Sequence, residues 1–228
     1  MKKGIVLSLG GSLIIPNEVS VKYLNDFKKV ILKNTKKYKF VVVCGGGSIA
    51  RKYISALREV KVNETLQSFA GISATRMNAR FMNYFFNQNP EMGIPHTMKI
   101  LKKYTEKYDV VFCGALEYKP NQTSDSTSAE IAKILKTDFI NLTDVAGLYT
   151  KNPKEFKDAK FIPKISWKDF NGIVRKIKFK PGQHFVLDQS AAIRIMKYKI
   201  KTYILGKDMK QLDNLLNGKK FKGTVIEN

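Results

Sequence analysis

Two glycine clusters stand where short apolar runs end. Gly4 to Leu9 leads into Gly10-Gly11-Ser12, and Phe40 to Cys44 leads into Gly45-Gly46-Gly47-Ser48, each followed by a segment of helical periodicity. Glycine lets a backbone approach an anion closely, and the free N–H groups of a helix's first turn, at the positive end of its dipole, favour phosphate. Two such turns on consecutive strands can hold two phosphates. The plainer reading is a pair of tight turns with no ligand, and repetition at consecutive strand ends weighs against it. The chain has no G-x-x-x-x-G-K-[ST] run, so this is not a P-loop. Gly45 to Ala50 fits G-x-G-x-x-A after a strand, but the acidic residue expected about 20 positions on would be Glu64, in a helical N-E-T-L segment, which argues against a dinucleotide site.

Other polar residues gather at the same kind of place. Arg51 lies one turn into the helix after the second glycine cluster, where a guanidinium can fork onto a bound phosphate or simply face solvent. The run Asn121-Gln122-Thr123-Ser124-Asp125 follows an apolar stretch, Val110 to Cys113, and opens the next helix; it offers amides and hydroxyls to a ligand, or an ordinary N-cap. Thr143-Asp144 begins a fourth such strand end, with Gly147, Tyr149 and the turn at Asn152-Pro153 beyond it. His184 and Asp188 are four residues apart, but two candidate ligands do not make a zinc site, so no protein metal site is expected. Trp167, Met77 and Met82 read as helix packing.

These groups need a scaffold that brings strand ends together. Strands are expected over residues 4–9, 40–44, 110–113, 138–142 and 201–205, most of them too uniformly apolar for a half-exposed sheet. Helices are expected over 19–36, 47–59, 64–88, 124–136, 166–175, 187–198 and 208–216. This alternation predicts an α/β fold, a three-layer αβα sandwich with a mostly parallel central sheet. The Lys-rich stretch 150–183, with three prolines (Pro153, Pro163, Pro181), is the expected excursion from that sheet. One domain over 1–228 is expected, with two lobes meeting near residue 140. In such sheets ligands collect outside the carboxyl ends of the strands, where both glycine turns lie.

Composition agrees and narrows the choice of partners. The 228 residues are 43% hydrophobic, enough for a sizeable core, and no apolar run nears the ~18 to 20 residues of a membrane span. The first residues lack the apolar length of a signal peptide. Net charge is +22, from 41 Lys+Arg against 19 Asp+Glu, yet only six of the basic residues are arginine. Dispersed lysines suit a solvated surface better than a groove for nucleic acid, where bidentate arginines and stacking aromatics do the reading. Cys44 and Cys113 end apolar runs, which fits a reducing compartment without disulfides.

Taken together, the residues resemble the amino acid kinase superfamily and, within it, the uridylate (UMP) kinases of archaeal type. The match runs through Ser8-Leu-Gly-Gly-Ser12, Val41 to Tyr53, Glu64 to Ala79, Thr143 to Thr150 and Gly223-Thr-Val-Ile226. The resemblance implies transfer of the ATP γ-phosphoryl group to UMP, with Mg²⁺, by a cytoplasmic homo-oligomer, a hexamer. By similarity Gly11, Ser12, Gly47 and Arg51 lie along the ATP phosphates, and Thr143, Asp144, Tyr149 and Asn152 border its adenosine. Gly46, Ser68, Pro120, Asn121, Gln122, Thr123 and Ser124 face UMP. Asp188 matches the acidic position at the reacting centre, and Lys180 a basic position near the ATP phosphates. Residues about 1–140 then form the acceptor lobe and about 141–228 the ATP lobe.

The chain departs from the family pattern at four places. Ser8 stands where many members have Lys, and Ser68 where UMP kinases usually carry the Asp that holds the ribose hydroxyls. The run Gly114 to Asp125 is two residues longer than usual, and Asn152 replaces an Asp. A kinase for another small phosphate, carboxylate or carbamate, or a non-catalytic nucleotide- or oxyanion-binding protein on the same fold, therefore stays open at this level.

Overall fold

The computed structural model describes residues 2–119, 122–176 and 186–228. In chain order the elements are β1 (Lys3–Leu9), α1 (Gly11–Ile14), α2 (Val21–Asn34), β2 (Tyr38–Cys44), α3 (Gly47–Glu59), α4 (Glu64–Phe85), a 3-10 turn (Pro90–Met92), α5 (Met98–Lys107), β3 (Val110–Cys113) and α6 (Ser124–Leu135). They continue with β4 (Asp138–Leu142), β5 (Leu148–Tyr149), β6 (Phe161–Ile162), β7 (Lys164–Ile165), α7 (Trp167–Lys176), α8 (Gln189–Tyr198), β8 (Thr202–Leu205), α9 (Met209–Leu216) and β9 (Thr224–Ile226).

Strand side chains alternate faces, and here each face has its own core. Ile5, Leu7 and Leu9 of β1, with Phe40, Val42 and Cys44 of β2, meet Leu24, Phe27 and Ile31 of α2, Met82 of α4, and Met209, Leu212 and Leu216 of α9. The intervening residues Val6, Val41 and Val43 point the other way, onto Leu101 of α5, Ala129 and Ala132 of α6, Phe170 of α7, and Ala191 and Ile195 of α8. Burial on both sides is why these strands read as continuous apolar runs. The result is the expected three layers.

The main sheet has the order β3-β2-β1-β4-β8-β9-β7. Its first five strands are parallel, as the registers Leu9 to Cys44, Leu9 to Leu142 and Leu142 to Leu205 show. The end of the sheet departs from the alternation read in the sequence. β9 runs antiparallel to β8, and β7 pairs parallel with β9 at the edge. The stretch after β4 leaves the sheet only in part: β5 and β6 form a separate two-stranded ribbon, and β7 returns to the main sheet.

One expected element set and one packing expectation need correction. Helix α5 is not among the helices expected from the sequence. Its Lys-rich segment dilutes the apolar period, and its buried Leu101 is supported by Thr97 as N-cap, accepting from the Ile100 N–H at 3.3 Å. Met77, expected to pack, is 52% exposed, whereas Met82 is fully buried and Trp167 donates its indole N–H to the Ile200 carbonyl. Cys44 and Cys113 are buried thiols, held protonated by that burial. Among the described residues no helix is long and apolar enough to cross a membrane.

Candidate functional site

The two glycine turns lie back to back. A Cβ built on Gly11 would stand 2.0 Å from the backbone nitrogen of Gly47, and one on Gly45 would stand 2.5 Å from that of Gly11. Gly47 also has φ +63, a conformation that costs glycine nothing. The contact is locked from outside. Ser48 donates its backbone N–H (3.3 Å) and its hydroxyl (3.0 Å) to the Ile15 carbonyl, and the buried amide of Asn78 donates to the Gly45 carbonyl at 2.7 Å. The glycines thus serve close backbone packing as well as any anion.

Helix α4 braces the next strand end in the same way. Thr75 Oγ1 accepts from the Ala115 N–H at 3.0 Å, and Arg76 donates to the carbonyls of Ala115 (3.0 Å) and Leu116. Together with Asn78, these residues of the Thr75-Arg76-Met-Asn78 run hold the ends of β2 and β3 to one helix. Their visible role is to position the loops.

Two helix N-termini converge beside the turns. Thr123 caps α6: its hydroxyl oxygen accepts from the Ser126 N–H at 3.1 Å and donates its proton to Asp188 Oδ2. Asp188 caps α8, its Oδ1 accepting from the Ala191 N–H at 2.9 Å. One residue further into α6 than Ser124, Asp125 takes a hydrogen bond at 2.8 Å from Ser8, at the end of β1. Burial first, then the Asp188 carboxylate, push the Asp125 pKa up to about 7, while the Ser8 hydrogen bond pulls it down. Positive helix ends and two facing carboxylates therefore meet where β1 runs into its glycine turn.

A cleft of about 680 Å³ opens from this point between α3, α4, residues 115–119 and 122–124, and the start of α8. Ser68, Gln122, Thr123, Ser124 and Asp188 line it, so five residues expected on the acceptor side or at the reacting centre share one space. Ala50, Ile54, Ile72 and Ile193 give it an apolar wall, and Glu117 and Lys119 stand on its loop side. Gly46 lies behind that wall, with Gly71 and Ala74 as neighbours. Such a space, mostly apolar with a few converging polar groups, suits a planar base carried on a sugar phosphate.

The residues expected around ATP are not in this cleft. Gly11 and Gly47 form the shared joint, Ser12 lies in α1 and Arg51 is exposed on α3. Thr143 and Asp144 follow β4, where Asp144 pairs with Lys154. Tyr149, in β5, packs edge-on against Phe161 with centroids 5.3 Å apart, and Asn152 shapes the next turn by donating to Glu155 (2.6 Å) and accepting from the Lys154 N–H (3.1 Å). Pro120, Asn121 and Lys180 lie outside the described residues, as does His184. Sequence reasoning assigned no role to Asp125; the signal available was its place in the polar run that opens α6.

This arrangement, two glycine turns at adjacent strand ends with an acceptor-sized cleft beside them, has relatives. The sequence profile of the amino acid kinase family matches residues 3–206, and the chain belongs to that family. Within it the chain is 34% identical to a uridylate kinase of Thermoplasma volcanium, covering 100% of this chain and 99% of the relative. A uridylate kinase of Pyrococcus abyssi is 31% identical over 98% of this chain and 99% of its own. The crystal structure of uridylate kinase from Archaeoglobus fulgidus superposes with a TM-score of 0.85 at 33% identity, over 99% of this chain and 100% of that one.

Proposed function

We propose that this chain is a nucleoside monophosphate kinase that moves the γ-phosphoryl group of ATP to UMP, giving UDP for pyrimidine nucleotide synthesis. The observation that carries the reading is the full-length kinship with archaeal uridylate kinases, joined to a cleft that gathers Ser68, Thr123, Ser124 and Asp188 beside the paired glycine turns. In this reading UMP occupies the cleft, Gly46 and Ser68 to one side and residues 120–124 to the other. ATP lies across Gly11, Ser12, Gly47 and Arg51, with its adenosine toward Thr143, Asp144, Tyr149 and Asn152.

Phosphoryl transfer asks little covalent chemistry of the protein; placing two phosphates in line and offsetting their charge does most of the catalysis. The N-termini of α3, α6 and α8 offer N–H groups and helix dipoles at the meeting point. Asp188, held by Thr123 and by its own helix, orients the reacting groups, and Lys180 adds positive charge from the ATP side. Mg²⁺ fits as a companion of ATP: Asp125 and Asp188 are hard oxygen donors whose mutual repulsion a dication would relieve, and it would neutralise phosphate charge there. Among the described residues no cluster of three or more acidic, His or Cys side chains forms a metal site, so phosphate oxygens would supply most of its ligands.

In this reading the chain divides into two lobes near residue 140, with Asp188, Gln189, Ser190 and Ile193, from the second half, also lining the acceptor cleft. Homo-oligomer assembly, as a hexamer, is supported by apolar side chains left exposed on α3 and α4: Tyr53, Leu66, Phe69, Met77 and Tyr84. A cytoplasmic setting suits the buried free thiols. A coupled assay with Mg-ATP and each nucleoside monophosphate tests the activity. UMP is expected to give the highest kcat/KM, and turnover of UMP no better than that of other acceptors would remove the substrate assignment.

A further inference from the structure

We propose that Glu117 is the specificity residue that reads the ribose of the acceptor, supplying the charged contact that Ser68 does not offer. The proposal rests on the reading that the acceptor nucleotide occupies the cleft beside α4.

Ser68 is at the right wall but has little to offer. Its hydroxyl proton is committed to the Glu64 carbonyl one turn back, at 2.9 Å, which leaves an uncharged acceptor. A vicinal diol presents two O–H donors, and a carboxylate with two oxygens binds them through charge-assisted hydrogen bonds, roughly twice as strong as neutral ones. Two carboxylates line the cleft. Asp188 is occupied, one oxygen on the Ala191 N–H and the other on Thr123, and it sits at the phosphate end. Glu117 is exposed and has no hydrogen bond or ion pair among the described residues. The neighbouring charge on the same loop, Lys119, is taken up by Glu130 at 2.6 Å.

The backbone on both sides of Glu117 is held in place. On one side Thr75 and Arg76 fix Ala115 and Leu116. On the other, the Tyr118 ring stacks on Phe69, centroids 5.0 Å apart and planes 25° apart. The residue after Glu117 is thus clamped to the residue after Ser68, and Glu117 and Ser68 line the same cleft. A carboxylate carried on that anchored segment distinguishes an acceptor with both hydroxyls from one that lacks one, because the second charge-assisted hydrogen bond is then lost.

Steady-state kinetics with UMP and dUMP, on the parent, Glu117→Gln and Glu117→Gln/Ser68→Asp, test the assignment. For Glu117→Gln the preference for UMP over dUMP is expected to fall about tenfold or more through a raised KM for UMP, with kcat little changed. Adding Ser68→Asp is expected to restore the preference, which a merely structural role for Glu117 would not allow. An unchanged UMP/dUMP ratio in Glu117→Gln overturns the proposal. A separate measurement isolates the reading beneath it. Both native cysteines are buried, so Glu117→Cys introduces an accessible thiol, and UMP is expected to slow its labelling by a maleimide. If UMP gives no protection, the acceptor does not occupy the cleft; protection with an unchanged ratio leaves the cleft standing and removes Glu117 alone.

Discussion

On the acceptor side of the paired glycine turns, polar side chains are fixed to one another and to backbone: Ser8 to Asp125, Thr123 to Asp188, Asn78 to Gly45, Thr75 to Ala115. On the side assigned to adenosine, exposed ion pairs take a larger share, Lys154 with Asp144 and Lys151 with Asp158, around a ribbon of two-residue strands that Thr224 ties to the sheet. The first arrangement is preorganised, so its geometry is available when a ligand arrives. Surface pairs of the second kind contribute little and yield to salt. Discrimination is therefore expected from the acceptor side, while the other side adapts around its ligand.

Four substitutions can break or sharpen that contrast. Asp188→Asn keeps a helix cap but removes charge from the fixed side, and single-turnover measurements should show the phosphoryl-transfer rate down by about 100-fold or more. Gly11→Ala strikes the joint common to both sides, since its Cβ would meet Gly47 backbone. Urea unfolding should register a loss above about 3 kcal/mol, beyond ordinary overpacking, and a smaller loss would mean that the joint is softer than drawn.

The third is a test of pH dependence. An acid with a raised folded pKa adds stability below its unfolded value of 3.8 and loses it as pH climbs to the folded value, here about 7. Asp125→Asn keeps an oxygen for Ser8 and removes the ionisation. Its melting temperature should exceed the parent's at pH 8, by roughly 4 °C or more, and the gain should vanish at pH 4. A gain independent of pH would show that burial and Asp188 do not raise the Asp125 pKa as described. The smallest effect belongs to Lys154→Ala, where KM for ATP should change by less than about fivefold and converge with the parent at high salt. A loss rivalling that of Asp188→Asn would erase the distinction between the two sides.

What could be read from the sequence followed from local pattern. The parallel strands β1, β2, β3, β4 and β8 announced themselves because burial on both faces leaves uniform apolar runs, and the glycine turns because nothing else tolerates such backbone approach. The polar run before α6 marked both a cap and a cleft wall, and the structure shows that Thr123 serves as both. Pairwise meetings across the chain were not legible. Gly11 against Gly47, Ser8 on Asp125 and Thr123 on Asp188 depend on strand order and on the convergence of two helices, which no local spacing encodes. β7 and β9 were missed because strands of two or three residues carry no usable period. The resemblance supplied site residues that the pattern alone left open, yet it directed attention to Ser68, whose hydroxyl turns out to be committed to its own helix.

The place of β9 carries a consequence for how this molecule is made. It is the last strand in the chain, yet it lies between β8 and β7 and not at the rim. As synthesis proceeds, β7 emerges first and has no neighbour in the main sheet until Thr224 to Ile226 arrive to separate and join the two. The same segment brings Thr224, whose hydroxyl donates to the Ile162 carbonyl and accepts from the Leu148 N–H, stapling the ribbon to the sheet. Until then a nascent chain exposes an open strand edge, the kind of template on which chains mispair. Completion of the main sheet is thus a keystone event, reserved for the three residues of β9 that join β8 to β7.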